Sequence, residues 1–148
     1  MKTVKDVLNE KGSDIWSIGP DALVFDAIEM MAQKEVGALL VLEEGEMIGI
    51  VSERDYTRKV ILKGRSSRET VIKAIMTSPV ISTDADQDVK KCMVLMTSKH
   101  IRHLPVLENE RVIGVVSLGD LVKTIIAEQD SKIRNFENYF RYRSDLSQ

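Results

Sequence analysis

Apolar side chains recur in this chain first at helical spacing and then at strand spacing. Val24, Ile28 and Met31 fall on one face of a helix, which predicts an amphipathic helix there. Two short apolar runs follow, at residues 38–42 and 47–51, and a polar turn separates them. Short apolar runs bounded by turn residues favour buried strands. The pattern therefore predicts a helix followed by a β-hairpin.

The same pattern occurs twice. Shifting the sequence by 65 residues aligns residues 15–61 with residues 80–126 without a gap, and 15 of the 47 aligned positions are identical. Ordinary amino-acid usage would give roughly three identities by chance. Each copy opens with a short apolar run, at residues 15–18 and 80–83, and closes with a helix. The chain is a duplication, and each copy predicts the element order βαββα.

Neither copy is much longer than the smallest domains that fold alone, so we expect the two copies to pack together. We predict an α+β fold with two βαββα repeats related by a pseudo-two-fold axis. One cleft per repeat would lie where a helix start meets the strands. The predicted parts are residues 1–76 (first repeat with an N-terminal helix at 4–8 and a linker helix at 71–76), 77–128 (second repeat) and 129–148 (C-terminal helical extension).

A seven-residue motif closes each hairpin, GIVSERD at residues 49–55 and GVVSLGD at residues 114–120. Two interpretations fit it. Ser-x-x-Asp is close to a capping box, in which both side chains only satisfy free N–H groups at a helix start. Alternatively, the helix start and the Ser hydroxyl bind a phosphate, while the ionised Asp accepts hydrogen bonds from a ribose diol. The occurrence of the motif at both junctions favours ligand binding.

The duplicated βαββα pattern, closed each time by Gly-x-Val-Ser-x-x-Asp, resembles a pair of cystathionine-β-synthase-type (CBS) domains. HLPV at residues 103–106 is similar to that family's second strand, and the resemblance extends to about Ile126. Such pairs commonly bind AMP, ATP, S-adenosylmethionine or NAD-type dinucleotides. The resemblance implies ribose binding by Asp55 and Asp120, phosphate binding by Ser52 and Ser117, a first base pocket of Ser17, Ile18, Gly37 and Ala38, and a second of Ser82, Thr83, Arg102 and His103, with Pro105 on the same strand.

The two copies differ beside the motif. Arg54 in the first copy corresponds to Gly119 in the second, and Gly37-Ala38 corresponds to Arg102-His103. If the clefts face one another across the axis, these basic groups converge on one shared phosphate region. A guanidinium suits bidentate phosphate contact. The other interpretation of Arg54 is a solvated residue in the first turn of its helix.

Composition and charge exclude several classes of protein. The chain has 148 residues, 43% hydrophobic and 30% charged, as in an ordinary globular protein. Its net charge of -2 gives no global attraction to nucleic acid, so we expect no such partner despite the basic-aromatic run YFRYR at residues 139–143. The apolar runs are too short to span a bilayer. Cys92 falls on an apolar helical stripe, which indicates a buried thiol and a cytoplasmic location.

No residue pattern indicates catalysis or a metal site. His100 and His103 are three residues apart, so on a strand they would point to opposite faces and could not easily share one ion. The chain has no nucleophile elbow, phosphate-binding Walker loop or paired-cysteine motif. We therefore expect a protein that is not an enzyme and that holds no metal.

The C-terminal segment carries an apolar stripe at heptad-like spacing, formed by Ile126, Gln129, Ile133, Phe136 and Phe140. A compact pair of repeats that ends near residue 126 cannot cover all of this stripe. We expect a partner subunit, and hence a homodimer, to cover it. The other interpretation is a helix that folds back on its own domain.

These patterns together predict a non-catalytic regulatory or energy-sensing module that binds an adenine nucleotide. The expected ligand is AMP, ATP or NAD/NADH, with S-adenosylmethionine less favoured. An unidentified regulated protein would be a further partner. The alternative is a structural protein-interaction module in which the clefts are degenerate and Ser-x-x-Asp serves only as a cap.

The apolar stripe generates a first testable prediction. Phe136→Asp should lower the apparent mass in sedimentation velocity while the repeats stay folded. The physical reason is that each buried apolar side chain contributes roughly 1.5–3 kcal/mol, and a two-fold interface uses each residue twice. Truncation after Glu128 should have the same effect. If the truncated chain stays a dimer, the interface lies on the repeats and the stripe serves another contact.

Overall fold

The computed structural model describes residues 2–146, with the backbone alone for residues 133, 136, 137 and 139–146. The elements follow the predicted order twice. In chain order they are α1 (Val4–Lys11), β1 (Ser17–Ile18), α2 (Val24–Lys34), β2 (Ala38–Glu43), β3 (Glu46–Ser52), α3 (Glu53–Tyr56) continued by a π-helical segment (Thr57–Ile61), a 3-10 turn (Ile72–Ala74), β4 (Thr83–Asp84), α4 (Val89–Lys99), β5 (His103–Glu108), β6 (Arg111–Ser117) and α5 (Leu118–Leu146).

The chain divides into two compact units with the same sheet topology. The first unit is residues 14–82, and the second comprises the described residues of 1–13 and 83–148. Each unit has a three-stranded sheet, β1-β2-β3 or β4-β5-β6, whose first two strands are parallel and whose last two are antiparallel. The predicted α+β fold with duplicated βαββα repeats is confirmed.

The two hairpins turn in the same way despite different residues. Glu44 and Gly45 have φ values of 51° and 83°, and Asn109 and Glu110 have 53° and 66°. A two-residue turn with both φ values positive is type I′, whose twist matches that of the flanking strands. Each hairpin therefore keeps the same register, with one irregularity at the equivalent place, between residues 41 and 42 or 106 and 107.

Each unit has its own apolar core, formed by one helix face packed on the sheet. The first core contains Val24, Ala27, Met31, Leu39, Val41, Val51, Val60, Ile72 and Ile75. The second contains Val4, Val7, Leu8, Ala85, Val89, Cys92, Met96, Leu104, Val106, Val116 and Leu121. The face predicted from helical spacing is the buried face in both units, and the Cys92 thiol is buried as predicted.

The opening strand of the second repeat lies later than predicted. We predicted it at residues 80–83, but β4 is Thr83–Asp84. In the first repeat, the Leu40 N–H donates to the Trp16 carbonyl at 3.1 Å and extends the parallel pairing. The equivalent of Leu40 in the second repeat is Pro105, which has no N–H to donate. The pairing therefore starts only at Thr83.

The segment that precedes each repeat packs in the unit of the other repeat. Val4 and Lys5 of α1 donate backbone hydrogen bonds of 2.9 Å to the carbonyls of Gln87 and Ala85 in the second repeat. Residues 72 and 73 make the equivalent bonds, also of 2.9 Å, within the first unit. The division in sequence order grouped residues 1–13 with the first repeat, whereas the structure packs them with the second. The predicted linker helix at 71–76 is reduced to the 3-10 turn.

Helix α5 continues without interruption from the second repeat to Leu146, as the predicted C-terminal extension requires. The side chains of Ile133, Phe136 and Phe140 lie outside the described residues, so the predicted stripe stays a prediction beyond Ile126, which is 51% exposed. Over the described range, every helix is too short or too polar to cross a bilayer.

Side chains from other segments of the same unit pack directly against the motif glycines. A Cβ on Gly114 would lie 2.8 Å from Leu8 Cδ2 of α1, and one on Gly49 would lie 2.6 Å from Met76 Sδ and 3.2 Å from the Thr77 carbonyl oxygen. The distances to Leu8 and Met76 are too short for a methyl group. The absence of a side chain at these glycines therefore allows the segment that precedes the other repeat to dock.

This docking predicts the effect of filling the space at Gly114. Gly114→Ala should lower the free energy of unfolding by about 1–3 kcal/mol, because buried Leu8 must shift. Gly19→Ala is the control, since nothing lies within 4 Å of a Cβ there, and its effect should stay within about 0.5 kcal/mol. Urea melts measure both. In a Leu8→Ala background the cost at Gly114 should shrink, and equal costs at the two glycines would contradict the docking argument.

Candidate ligand site

Both Ser-x-x-Asp motifs form reciprocal caps at a helix start. In the first unit, the Ser52 N–H donates to Asp55 Oδ2 at 3.0 Å, and the Asp55 N–H donates to Ser52 Oγ at 3.2 Å. In the second, Ser117 N–H reaches Asp120 Oδ2 at 2.8 Å, and Asp120 N–H reaches Ser117 Oγ at 3.1 Å. The capping interpretation therefore holds for both motifs, and any ligand must bind to carboxylates that already accept one backbone hydrogen bond.

The carboxylate of Asp55 is satisfied on both oxygens by its own unit. Its Oδ1 accepts from Lys59 Nζ at 3.0 Å and from Thr77 Oγ1 at 3.3 Å, while Oδ2 belongs to the cap with Ser52. The side chain is only 12% exposed. A ribose diol could bind Asp55 only by displacing at least one of these donors.

The carboxylate of Asp120 is more open. The hydrogen bonds that it accepts within the second unit both reach Oδ2, from the Ser117 N–H and from Lys11 Nζ at 2.7 Å. Among the described residues of this unit, no donor reaches Oδ1. The side chain is 21% exposed, against 12% for Asp55. Asp120 is therefore the better placed of the two to accept a hydrogen bond from a ligand.

Asp120 lies close to Lys11 and His103. His103 pairs with Ser117 across the β5-β6 ladder, and the Arg102 carbonyl accepts from the Leu118 N–H at 2.8 Å. Burial pushes the pKa of Asp120 up, but hydrogen bonds from Lys11 and Ser117 outweigh it and hold the pKa below its ordinary value. The group is thus an ionised acceptor at neutral pH, with the Lys11 ammonium paired to it.

The residues of the first unit that correspond to Arg102 and His103 are Gly37 and Ala38, which are small and uncharged. Ala38 pairs with Ser52, and the Gly37 carbonyl accepts from the Glu53 N–H at 3.1 Å. Arg54 is exposed in the first turn of α3. Arg54 belongs to the first unit, whereas Arg102 and His103 belong to the second. The predicted convergence of these residues on one phosphate stays a prediction.

The remaining predicted site residues are placed unequally. Ser17 and Ile18 lie half-buried on β1 beside β2. Ser82 is half-exposed at the end of the first unit. Thr83 does not fit its predicted role through its side chain, because its hydroxyl is buried in the core 3.3 Å from Cys92 Sγ. Pro105 is also buried, opposite Val115.

Sequence reasoning missed the two lysines that pair with the motif aspartates. Lys59 is four residues after Asp55, a spacing that places two side chains together on a helix and could have revealed it. Lys11 lies 109 residues before Asp120, and no local pattern connects them. Only the docking of α1 in the second unit brings that ammonium to the motif.

A cavity of about 620 Å³ in the second unit lies away from the motif. Its lining comes from α1, α4, α5 and the residues just before α1 and α4, and it includes Lys2, Glu10, Asp88, Lys90, Ile125 and Lys132. None of the predicted site residues lines it. Within the described residues, no three His, Cys, Asp or Glu side chains come together as a metal site would require.

Comparison with known proteins identifies the family. The family model described as CBS domain matches residues 4–61 and again residues 72–127. The chain belongs to the CBS domain family. The matched ranges run in sequence order, so α1 counts with the first CBS repeat although it packs with the second. CBS domain pairs are, as a family, regulatory ligand-binding modules.

Several relatives of this CBS pair cover most of its length. The CBS domain-containing protein CBSX3 of Arabidopsis thaliana, named as mitochondrial, is 38% identical over 149 residues, which span 94% of this chain and 72% of that protein. A putative signal-transduction protein with CBS domains from Burkholderia ambifaria MC40-6 is 46% identical with a TM-score of 0.84, covering 86% of this chain and 96% of that one.

A second similar structure was solved with ligands. The CBS domain pair of protein MJ0100, in complex with 5′-methylthioadenosine and S-adenosyl-L-methionine, has a TM-score of 0.76 at 22% identity. It covers 86% of this chain and 98% of that one. At this identity the likeness establishes the shared fold.

The basic surroundings of His103 predict how stability depends on pH. Burial lowers the pKa of His103 below its ordinary 6.5, Asp120 opposes this, and Lys11 and Arg102 add to it. The folded protein therefore binds fewer protons than the unfolded chain below pH 6.5. Its free energy of unfolding should fall as pH drops through that range, by at most about 1.4 kcal/mol per pH unit.

Urea melts between about pH 5 and 8 check this dependence. His103→Gln should flatten the dependence of the free energy of unfolding on pH, because the glutamine takes up no proton on unfolding. His100→Asn is the control at an exposed, left-handed position that Asn tolerates, and it should leave the slope in place. An unchanged slope in His103→Gln would show that other groups cause it.

Proposed function

We propose that this CBS pair is a non-catalytic regulatory protein that binds an adenine nucleotide at its second repeat. The observation that carries the proposal is the ionised Asp120 carboxylate at the capped start of α5, with the Lys11 ammonium paired to it and the Arg102 charge near neighbouring His103. A carboxylate that accepts hydrogen bonds suits a ribose diol. The adjoining start of a long helix and the two cations suit a phosphate.

The expected ligands are AMP, ATP and NAD or NADH. The pair in MJ0100, which has the same fold, was solved with two adenosine compounds, and this supports an adenosine-containing ligand. It also makes S-adenosylmethionine and 5′-methylthioadenosine necessary members of any ligand panel, although the basic surroundings of Asp120 favour an anionic ligand.

The alternative function is a structural interaction module, and one observation favours it for the first repeat. Asp55 is buried, and both its oxygens accept hydrogen bonds from Ser52, Lys59 and Thr77. A carboxylate in this state acts as a local cross-link. We therefore propose one ligand per chain, at Asp120, with Asp55 serving stability.

We infer a homodimer that passes the nucleotide signal to a regulated protein partner, without nucleic acid. We retain a cytoplasmic location as a prediction, while the relative from Arabidopsis thaliana is named as mitochondrial.

A ligand panel tests the function directly. An adenine nucleotide at a hundred times its dissociation constant should stabilise the protein by about 2.7 kcal/mol. For a chain of this size, that corresponds to roughly 5–11 °C in melting temperature. Thermal shift with AMP, ATP, NAD, NADH, S-adenosylmethionine and 5′-methylthioadenosine measures it. If none of them shifts the melt at millimolar concentration, the structural module is the better description.

Matched aspartate variants extend this test to the residues. Asp120→Asn should weaken binding of the best ligand about tenfold, because the charge that strengthens the ribose hydrogen bonds is lost. Asp55→Asn should instead lower the free energy of unfolding by about 1–3 kcal/mol and leave affinity unchanged. Calorimetric titration and urea melts separate the two effects. Loss of affinity in Asp55→Asn, or two ligands per chain, would contradict the assignment to the second repeat.

A further inference from the structure

Lys11 precedes the duplicated residues 15–61 and 80–126, yet it is part of the motif site of the second unit. It is the last residue of α1, where the helix ends at Gly12 with a φ of 102°. Its ammonium lies 2.7 Å from Asp120 Oδ2. Leu8, one turn earlier, packs against Gly114 of the same motif, so the approach of Lys11 follows from the docking of the whole helix.

The first unit uses a different lysine in a different way. Lys59 Nζ contacts Asp55 Oδ1 at 3.0 Å and also donates to the Ile75 carbonyl at 2.9 Å. It therefore ties the carboxylate to the backbone of its own unit. The residue equivalent to Lys59 in the second repeat is Thr124, which is buried and bonds to the Asp120 carbonyl. The second repeat thus has no lysine of its own at this place and takes one from α1.

The ammonium of Lys11 retains capacity for a ligand. It carries three N–H donors, and the hydrogen bond that the described structure gives it is the one to Asp120. Its side chain is 36% exposed. The positive charges of Lys11 and Arg102 and the negative charge of Asp120 all act on His103, while burial disfavours the charged form of His103 itself. The cluster therefore keeps a positive surplus next to the Ser117 cap.

We propose that Lys11 is a phosphate-binding residue of the second CBS repeat, which makes the site selective for phosphorylated over unphosphorylated adenosine compounds. With a ribose bound at Asp120, the ammonium stays beside the carboxylate and donates to the ligand's phosphate near the start of α5. The inference rests on the proposed function, since it needs a nucleotide at Asp120. It adds a residue that the sequence of the second repeat does not supply and couples the site to the N-terminal helix.

Paired titrations with AMP and adenosine test the inference on the full chain. Lys11→Met removes the charge and keeps most of the side-chain length. It should weaken AMP binding about tenfold, or about 1.4 kcal/mol, and change adenosine binding less than twofold. Lys11→Arg should stay close to the wild type. Raising salt should weaken AMP binding less in Lys11→Met, because one screened contact is gone.

Lys59→Met is the matched control, since it breaks the corresponding ion pair in the first unit. It should lower stability in urea melts and leave the ratio of AMP to adenosine affinity unchanged. An equal change in both affinities for Lys11→Met, in either direction, would overturn the inference, because Lys11 would then affect ribose or folding alone. Equal wild-type affinity for AMP and adenosine would overturn it while leaving the proposed function in place. Binding of no adenosine compound would overturn both.

Discussion

The reciprocal hydrogen bonds between Ser and Asp at each strand-to-helix junction are the constraint on which the candidate site depends. They fix the residue at which the helix begins, and they hold the carboxylate beside the end of the preceding strand. A carboxylate in that half-buried position needs further donors, because burying an unpaired charge is costly. The two units meet this need differently, and the difference decides what each carboxylate can do.

In the first unit the need is met locally. The helix that starts at Glu53 passes at once into a π-helical segment, and Lys59 in that segment reaches both Asp55 and the Ile75 carbonyl. Thr77, from the segment beyond the 3-10 turn, adds a further donor. The carboxylate connects three parts of the unit. Both oxygens of Asp55 therefore accept hydrogen bonds from its own unit.

In the second unit the need is met from a distance. The equivalent of Lys59 is Thr124, the helix continues as a regular α-helix, and the donor comes from α1. That arrangement depends on Gly114, since only a residue without a side chain lets Leu8 approach the strand closely enough for α1 to dock. Gly114 therefore allows α1 to dock, and the docked helix places Lys11 at Asp120. This arrangement leaves the carboxylate ionised, partly exposed and paired with a single lysine.

The sequence by itself determined the parts of this protein that follow from local period and from internal repetition. The helix faces at Val24 and Val89, the paired strands and the two caps could all be predicted, because spacing of apolar residues and short-range hydrogen bonds decide them. Only the tertiary structure decided which repeat each preceding segment joins, and that Pro105 delays the pairing of β4 until Thr83. It also decided the inequality of Asp55 and Asp120, whose motifs are alike in sequence. The physical reason is that a carboxylate's capacity for a ligand depends on every donor within reach, and the decisive donor at Asp120 is 109 residues away along the chain.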